Sequence, residues 1–424
     1  MDVKVRAARQ VRGSVRTAGD KSVSHRYAML AGLAEGTSEF ENFSSSADCA
    51  STLACMAAMG AHVKRDGNHV LVTGTGGRLQ KPTAPLDCGN SGSTMRMLGG
   101  IVAAQSFDSV MIGDASLSRR PMRRIIEPLG LMGAHIDSHD GCAPLTIHGA
   151  HLKGIEFRPP VASAQVKSCV LLAGLFAEGE TTVLEPQRTR DHTELALRAF
   201  GGHVESTGER ISLRGGQKLK AVKAYVPGDL SSVTFFLCAT AIFPGSSLVV
   251  DGVLLNPTRS VVLDVMASMG VRVTFLKMEE QFGELLGTMR LEGGVFQGGL
   301  IAGAQSAALI DELPAIAAIA PYSVNGLEIR DAAELRVKEC DRISAVVQNL
   351  RAMGAEVEER PDGMKIPGNQ HLHGAVLDSF DDHRIAMAFA VAALRAEGDS
   401  TIHNAESVAV SFPDFFDVLA TVVE

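Results

Sequence analysis

The stretch Met59-Gly60-Ala61-His62-Val63, "MGAHV", decides the fold because it is not unique. Near copies start at Met132 ("MGAHI"), Phe200 ("FGGHV"), Met269 ("MGVRV") and Met353 ("MGAEV"), spaced by 68 to 84 residues. Recurrence at a roughly fixed interval is read before any single element. Each copy has the same mechanics. An amphipathic helix ends, a glycine caps it, and a strand with β-branched residues begins.

A second phrase precedes each copy and recurs once more after the last. It is a helix rich in alanine and leucine, followed by a strand. The examples are "SVSHRYAMLAGLAEG" from Ser22, "SGSTMRMLGGIVAAQ" from Ser91, "SAQVKSCVLLAGLFAEG" from Ser163, "DLSSVTFFLCATAIFPG" from Asp229, "DELPAIAAIA" from Asp311 and "DDHRIAMAFAVAALRAEG" from Asp381. Most open with Ser or Asp, which are good N-caps. They are apolar on nearly all sides, which predicts buried helices. The chain therefore reads as six α/β units of helix, strand, helix and strands, grouped as two domains of three. The break falls near Ala224–Ser232, where Pro227-Gly228 punctuates the chain. A first strand over Lys4–Arg16 precedes the first unit and fits either domain.

Length and composition agree with two domains. The chain has 424 residues, 46% hydrophobic and 21% charged, which describes a soluble globular protein. A net charge of −8 argues against broad nucleic-acid binding, and three Tyr with no Trp leave no stacking platform. The seven cysteines form no C-x-x-C pair, which suits a reducing, cytoplasmic compartment. The start "MDVKVRAARQVRG" has no apolar signal core, and the longest apolar run, Ile385–Leu394, is too short to span a membrane.

Helix N-termini carry unpaired N–H groups and partial positive charge. Six convergent helix starts would form an anion site. The polar and charged residues cluster at those starts: Lys21, Ser22 and Arg26; Asn90, Ser91, Ser93 and Arg96; Ser163, Gln165 and Lys167; Asp311 and Glu312; His383 and Arg384. Two further clusters, "SLSRRPMRR" (Ser116–Arg124) and "RVKECDR" (Arg336–Arg342), add guanidinium forks suited to phosphate and carboxylate. Arg123 and Arg124 read equally well as surface residues. "GDKSVSHR" (Gly19–Arg26) is not a nucleotide P-loop, because five residues separate Gly13 from Gly19 and Asp20 precedes Lys21.

Other chemistries lack their spacing. His135, Asp137, His139, Asp140 and Cys142 form a suggestive run, but no zinc-type spacing supports a metal there. His371 and His373 read as alternation on an exposed strand. No G-x-S-x-G elbow supports a serine hydrolase.

With these motifs together, the chain from about Val11 to Glu424 resembles the 5-enolpyruvylshikimate-3-phosphate synthase family. The motifs are "GDKSVSHR", "GNSGSTMR", "SRRPM", "SAQVKS", "RDHTE", "ELP", "RVKECDR", "DDHR" and "SFPDFF". The resemblance implies an inside-out α/β barrel in each of two domains, each built of three βαβαββ repeats with buried parallel helices. It places residues 19–227 in one domain and 1–18 plus 228–424 in the other, with the active site in the cleft between them. It implies a monomeric transferase without metal or organic cofactor. The reaction moves the enolpyruvyl group of phosphoenolpyruvate to the 5-hydroxyl of shikimate 3-phosphate, with release of phosphate.

Site residues follow from the same resemblance. Lys21, Ser22, Arg26, Ser163, Ala164, Gln165, Arg190, Asp311 and Lys338 are expected at shikimate 3-phosphate. Lys21, Asn90, Gly92, Arg120, Gln165, Arg342 and Arg384 are expected at phosphoenolpyruvate. Lys21, Asp311 and Glu339 are the expected catalytic groups, with Asp311 at the 5-hydroxyl and Glu339 relaying a proton to C3.

Some positions depart from the frequent pattern. Ala164 stands where many members have Ser, Met97 where many have Pro, Glu334 where many have Asn, and Val410 where many have Lys. Gly92 matches the glyphosate-sensitive pattern, but its changed neighbours leave the response to the inhibitor open. One alternative is UDP-N-acetylglucosamine enolpyruvyl transferase. That family carries a reactive cysteine where this chain has Ala115. A non-catalytic anion-binding repeat protein is the other, and it would not need Lys21, Asp311 and Glu339 together.

Overall fold

In the structure, a computed structural model that describes residues 1–424, the recurrent phrase ends five helices. The helices Ala47–Ala58, Arg123–Leu131, His192–Ala199, Val261–Ser268 and Arg342–Ala352 stop at Met59, Met132, Phe200, Met269 and Met353. The glycine that follows is left-handed each time; φ is +104° at Gly60 and +107° at Gly133. Only glycine adopts this geometry without strain, so the chain reverses there. The Met or Phe before it is buried and fixes the reversal against the core.

The Ala-rich phrases form the helices Lys21–Leu33, Gly92–Ala103, Ala164–Gly174, Leu230–Ala241, Leu313–Ile319 and His383–Ala393. Every residue of Leu230–Ala241 and His383–Ala393 is buried, as is everything in Lys21–Leu33 after Ser22. Side chains of Asp20, Ser91, Ser163, Asp229 and Asp382 accept a backbone N–H and cap five of the six. Small residues let these helices approach closely. A Cβ on Gly100 would sit 2.2 Å from the Cys169 carbonyl oxygen, so the second and third helices need glycine there.

Six small sheets accompany the six buried helices. Five have four strands and one has three. In the second repeat, Leu86–Asp87 runs parallel to Ser109–Ile112, with the buried helix as the crossover between them. The hairpin His135–His139 and Cys142–His148 then completes that sheet. The third and fifth repeats follow the same plan. The first and fourth take their parallel strand from elsewhere in the chain. Lys223–Tyr225 pairs with Thr37–Glu41, in register Lys223↔Glu39, and Arg12–Val15 pairs with Ser247–Leu254, in register Arg12↔Ser247.

The chain divides into two compact units. The first is Gly19–Val226 with Gln281–Glu284; the second is Met1–Ala18, Pro227–Glu280 and Leu285–Glu424. The sequence boundaries leave Gln281–Glu284 in the C-terminal half, but local contacts bring this turn to the first unit. Gln281 Oε1 accepts from the Tyr225 N–H at 3.0 Å, and His192 Nδ1 lies 2.6 Å from Glu284 Oε1.

Two other expectations change. The span Lys4–Arg16 is two short strands rather than one. Val3–Val5 pairs antiparallel with Ser400–His403, and Arg12–Val15 joins a different sheet of the same unit. His371 and His373 do not lie on a strand; His373 makes only a single bridge, to Glu397. No helix is long and apolar enough to cross a membrane.

Candidate active site

In the first unit most of the expected residues sit at three helix starts, while Arg120 follows the 3₁₀ turn Leu117–Arg119 and Arg190 precedes the helix His192–Ala199. Asp20 caps the first helix by accepting from the Val23 N–H at 2.9 Å. Lys21 Nζ lies 3.0 Å from Asp48 Oδ2, at the start of the next helix. Sequence reasoning missed Asp48. A buried acid one residue into a helix, in "SADCAS", was the available signal.

Arg26 is 4% exposed and is held by three of its five N–H groups. Nε donates to Thr193 Oγ1 at 2.6 Å, Nη1 to the Ser22 carbonyl at 2.8 Å and Nη2 to Ser168 Oγ at 2.7 Å. Burial, opposed by Glu194 and Asp20, brings its pKa down to about 10, so it stays cationic at neutral pH. The Arg190 charge pulls in the same direction as burial, which places the two cations within each other's field. Thr193 and Ser168 are therefore the residues that aim Arg26, and Ser168 Oγ and Thr193 Oγ1 are themselves 2.6 Å apart.

Beneath them lies an ion-pair triad. Lys167 is 1% exposed, and its Nζ is 2.8 Å from both Glu185 Oε2 and Glu194 Oε1, themselves 5% and 3% exposed. A buried cation between two carboxylates is tolerable only because all three groups are paired. Glu185 and Glu194 bracket the segment that carries Arg190, so Lys167 fixes that segment to the third buried helix. The "RDHTE" motif thus contributes Arg190 at its head and Glu194 at its foot.

The second helix start holds a further set of the expected residues. Asn90 donates Nδ2–H to Asp114 Oδ2 at 2.7 Å and accepts from Arg120 Nη2 at 2.7 Å. Arg120 also donates to Ser116 Oγ at 3.0 Å. Gln165 Oε1 accepts from Arg96 Nη1 at 2.8 Å, and its Nε2 donates to Ser93 Oγ at 2.9 Å, linking the second and third helices. Gly92 is the first helical residue, and a Cβ there would meet Arg96 Nη1 at 2.8 Å. Ser163 caps the third helix and Ala164 opens it. Ala115 lies on an exposed turn.

The second unit holds a separate, denser cluster. Arg342, 1% exposed, meets Asp382 through Nε–Oδ2 at 2.7 Å and Nη2–Oδ1 at 3.2 Å, and Glu339 Oε2 through Nη2 at 2.6 Å. Its Nη1 is 3.8 Å from Asp311 Oδ1, and Lys338 Nζ is 3.7 Å from the same oxygen. Arg384 Nη1 donates to the Asp311 carbonyl at 2.7 Å. Burial opposes the charge on Arg342, but Asp382 and Glu339 overcome it and raise its pKa. The same contact holds the Asp382 carboxyl below its usual range despite complete burial. Asp382 both caps the sixth helix and anchors Arg342. Val410 is half-buried at the end of a 3₁₀ turn that buries Ala405 and Val408.

Asp311 is thus flanked by two cations within its own unit, with Glu339 held by one of them. Such a group of cations, carboxylates and helix starts is suited to an enzyme acting on polyanions. Residues 5–419 match the family profile described as EPSP synthase (3-phosphoshikimate 1-carboxyvinyltransferase). The 3-phosphoshikimate 1-carboxyvinyltransferase of Koribacter versatilis is 60% identical over 423 residues, covering 100% of this chain and 99% of that one. The enzyme of the same name from Solibacter usitatus is 51% identical over 426 residues, covering both chains fully. A solved EPSP synthase from Acinetobacter baumannii superposes with a TM-score of 0.88 at 41% identity, covering 100% of this chain and 98% of that one. The chain belongs to the EPSP synthase family. It is an enolpyruvyl-transferring enzyme of the shikimate pathway.

Proposed function

We propose that the enolpyruvyl transfer is carried out by the two groups of side chains described above, without metal or organic cofactor. Shikimate 3-phosphate is bound by Lys21, Ser22, Arg26, Ser163, Ala164, Gln165, Arg190, Asp311 and Lys338. Phosphoenolpyruvate is bound by Lys21, Asn90, Gly92, Arg120, Gln165, Arg342 and Arg384. Both sets are assigned to one reaction because it consumes two anions, and their mutual repulsion is offset only by cations from each set. The assigned domain boundaries are 19–227 for one domain and 1–18 plus 228–424 for the other, amended by the turn Gln281–Glu284, which goes with the first, and by Pro227, which goes with the second.

The observation that carries this reading is the Asp311 carboxylate lying 3.7 Å from Lys338 and 3.8 Å from Arg342, with Glu339 bonded to the same Arg342. Asp311 accepts the proton of the 5-hydroxyl while that oxygen attacks C2 of phosphoenolpyruvate. Glu339 delivers a proton to C3. The tetrahedral intermediate so formed loses phosphate from C2 and the added proton from C3, which restores the double bond. Arg120, Arg342 and Arg384 stabilise the charge that gathers on the departing phosphate. Lys21 stands beside the 5-hydroxyl and supports its deprotonation.

The seven free thiols fit a cytoplasmic enzyme, and the protein is read as a monomer acting on two small molecules. The testing experiment mixes purified protein with phosphoenolpyruvate and shikimate 3-phosphate and measures phosphate release. Release with UDP-N-acetylglucosamine in place of shikimate 3-phosphate would move the assignment to the other enolpyruvyl transferase. No release with either acceptor would leave an anion-binding protein.

A further inference from the structure

The hairpin of the second repeat carries a cluster that the transfer reaction does not use. His135 and His148 are direct cross-strand partners, and Asp137 lies two residues beyond His135 on the same face. Their rings stack with centroids 5.1 Å apart. Asp137 reaches both, with Oδ1 3.1 Å from His135 Nε2 and Oδ2 2.8 Å from His148 Nε2. The other nitrogen of His148, Nδ1, lies 3.4 Å from Asp108 Oδ2. His139, Asp140 and Cys142, the other members of the sequence run, are not part of this group.

We propose that His135, His148 and Asp137 form a surface site for one divalent transition-metal ion of the zinc type. A neutral imidazole has one N–H, yet both nitrogens of His148 face carboxylate oxygens. Both contacts are met either by an imidazolium with two N–H groups or by a metal ion that takes Nε2 and the Asp137 carboxylate together, and the convergence of three donor atoms favours the metal. Asp108 then holds Nδ1–H, as an outer carboxylate commonly does for a metal-bound histidine. The three donor atoms lie within 4.8 Å of one another. Tetrahedral coordination with bonds of about 2.0–2.2 Å separates ligand atoms by about 3.3 Å, so small rotamer changes suffice. Two imidazole nitrogens and one carboxylate oxygen suit Zn²⁺, Co²⁺, Ni²⁺ or Cu²⁺ rather than Mg²⁺ or Ca²⁺. His135 is 75% exposed and Asp137 59%, so water completes the shell and the ion exchanges readily. The ion would clip the outermost strand of this sheet to its neighbour. This inference stands apart from the assignment of the reaction.

The test uses full-length protein stripped with a chelator and titrated with Zn²⁺ against a chromophoric competitor, then with Co²⁺ by absorption. We expect one ion per chain, visible Co²⁺ bands without an intense sulfur charge-transfer band, and a melting temperature raised by Zn²⁺. His148→Ala and His135→Ala should each weaken binding at least tenfold and abolish the thermal shift. Asp137→Asn should weaken it less, and phosphate release should be unchanged in all three. Equal Zn²⁺ affinity in wild type and the His135→Ala/His148→Ala double variant would overturn the site and leave the cluster held by protons. A sulfur charge-transfer band would reassign the ion to a cysteine, and preference for Mg²⁺ would overturn the donor-set argument.

Discussion

Arg342 and Asp382 form a two-point ion pair in which the cation is 1% exposed and the carboxylate fully buried. Each justifies the other, since neither charge has solvent to turn to. Asp382→Asn leaves the guanidinium with a weaker partner and should lower stability by about 3–5 kcal/mol at the upper end of such losses. Urea unfolding measures this. Arg342→Lys keeps the charge but loses the fork, so KM for phosphoenolpyruvate should rise. An unchanged KM would remove Arg342 from that substrate's site.

Asp311→Asn keeps the shape and removes the base. General-base catalysis contributes about 10²–10⁴-fold, so kcat should fall by that order while shikimate 3-phosphate binding changes little. Steady-state phosphate release with calorimetric binding separates the two. Retained turnover would assign the proton to another group.

Lys167→Met strands Glu185 and Glu194 as two buried carboxylates without their shared cation. A loss of about 3–5 kcal/mol is expected from breaking a buried pair. Because the triad fixes the segment carrying Arg190, KM for shikimate 3-phosphate should rise more than KM for phosphoenolpyruvate. Equal changes in both would limit Lys167 to stability alone.

His25 is buried with Nδ1 2.7 Å from Thr52 Oγ1, and its pKa lies well below 6.5 because of burial and then the charges of Lys21 and Arg26. The unfolded chain therefore takes up the proton first as pH falls. Stability is full above about 6.5 and declines below it, by up to about 1.4 kcal/mol per pH unit. The depressed pKa of Asp382 acts in a different window, below about 3.8, where the unfolded carboxyl protonates. Denaturation between pH 7 and 5 should show a shallower loss for His25→Gln than for wild type. Parallel slopes would mean that His25 titrates alike in the folded and unfolded chain.

Gly133→Ala tests the phrase that revealed the repeats. The residue has φ +107° and only the His151 carbonyl at 3.7 Å from a built Cβ, so the cost is backbone strain rather than collision. A destabilisation of about 1–3 kcal/mol is expected, with kcat unaffected.

Much of the fold was legible because it is local and repeated. Helix ends at Gly60, Gly133, Gly201, Gly270 and Gly354 need a left-handed residue, and helix starts at Asp20, Ser91 and Ser163 need a cap. These are demands of a few neighbouring residues, so composition and spacing reveal them. The candidate site was legible in part. Lys21, Arg26 and Arg384 stood out as cations at buried helix starts, and Arg120 and Arg342 as members of two further basic clusters; their assignment to two anions came from family motifs.

The partners of those cations were not legible. Asp48 lies 27 residues from Lys21, Thr193 lies 167 from Arg26, and Asp382 lies 40 from Arg342. His148 lies 11 from Asp137 and left the sequence run of candidate ligands incomplete. Sequence alone therefore determined the six repeats and which residue types stand at their starts, because turns and caps are short-range chemistry. Only the tertiary structure decided which carboxylate or hydroxyl aims each cation. Strand register and helix packing bring distant residues within 3 Å, and burial then makes each pairing obligatory.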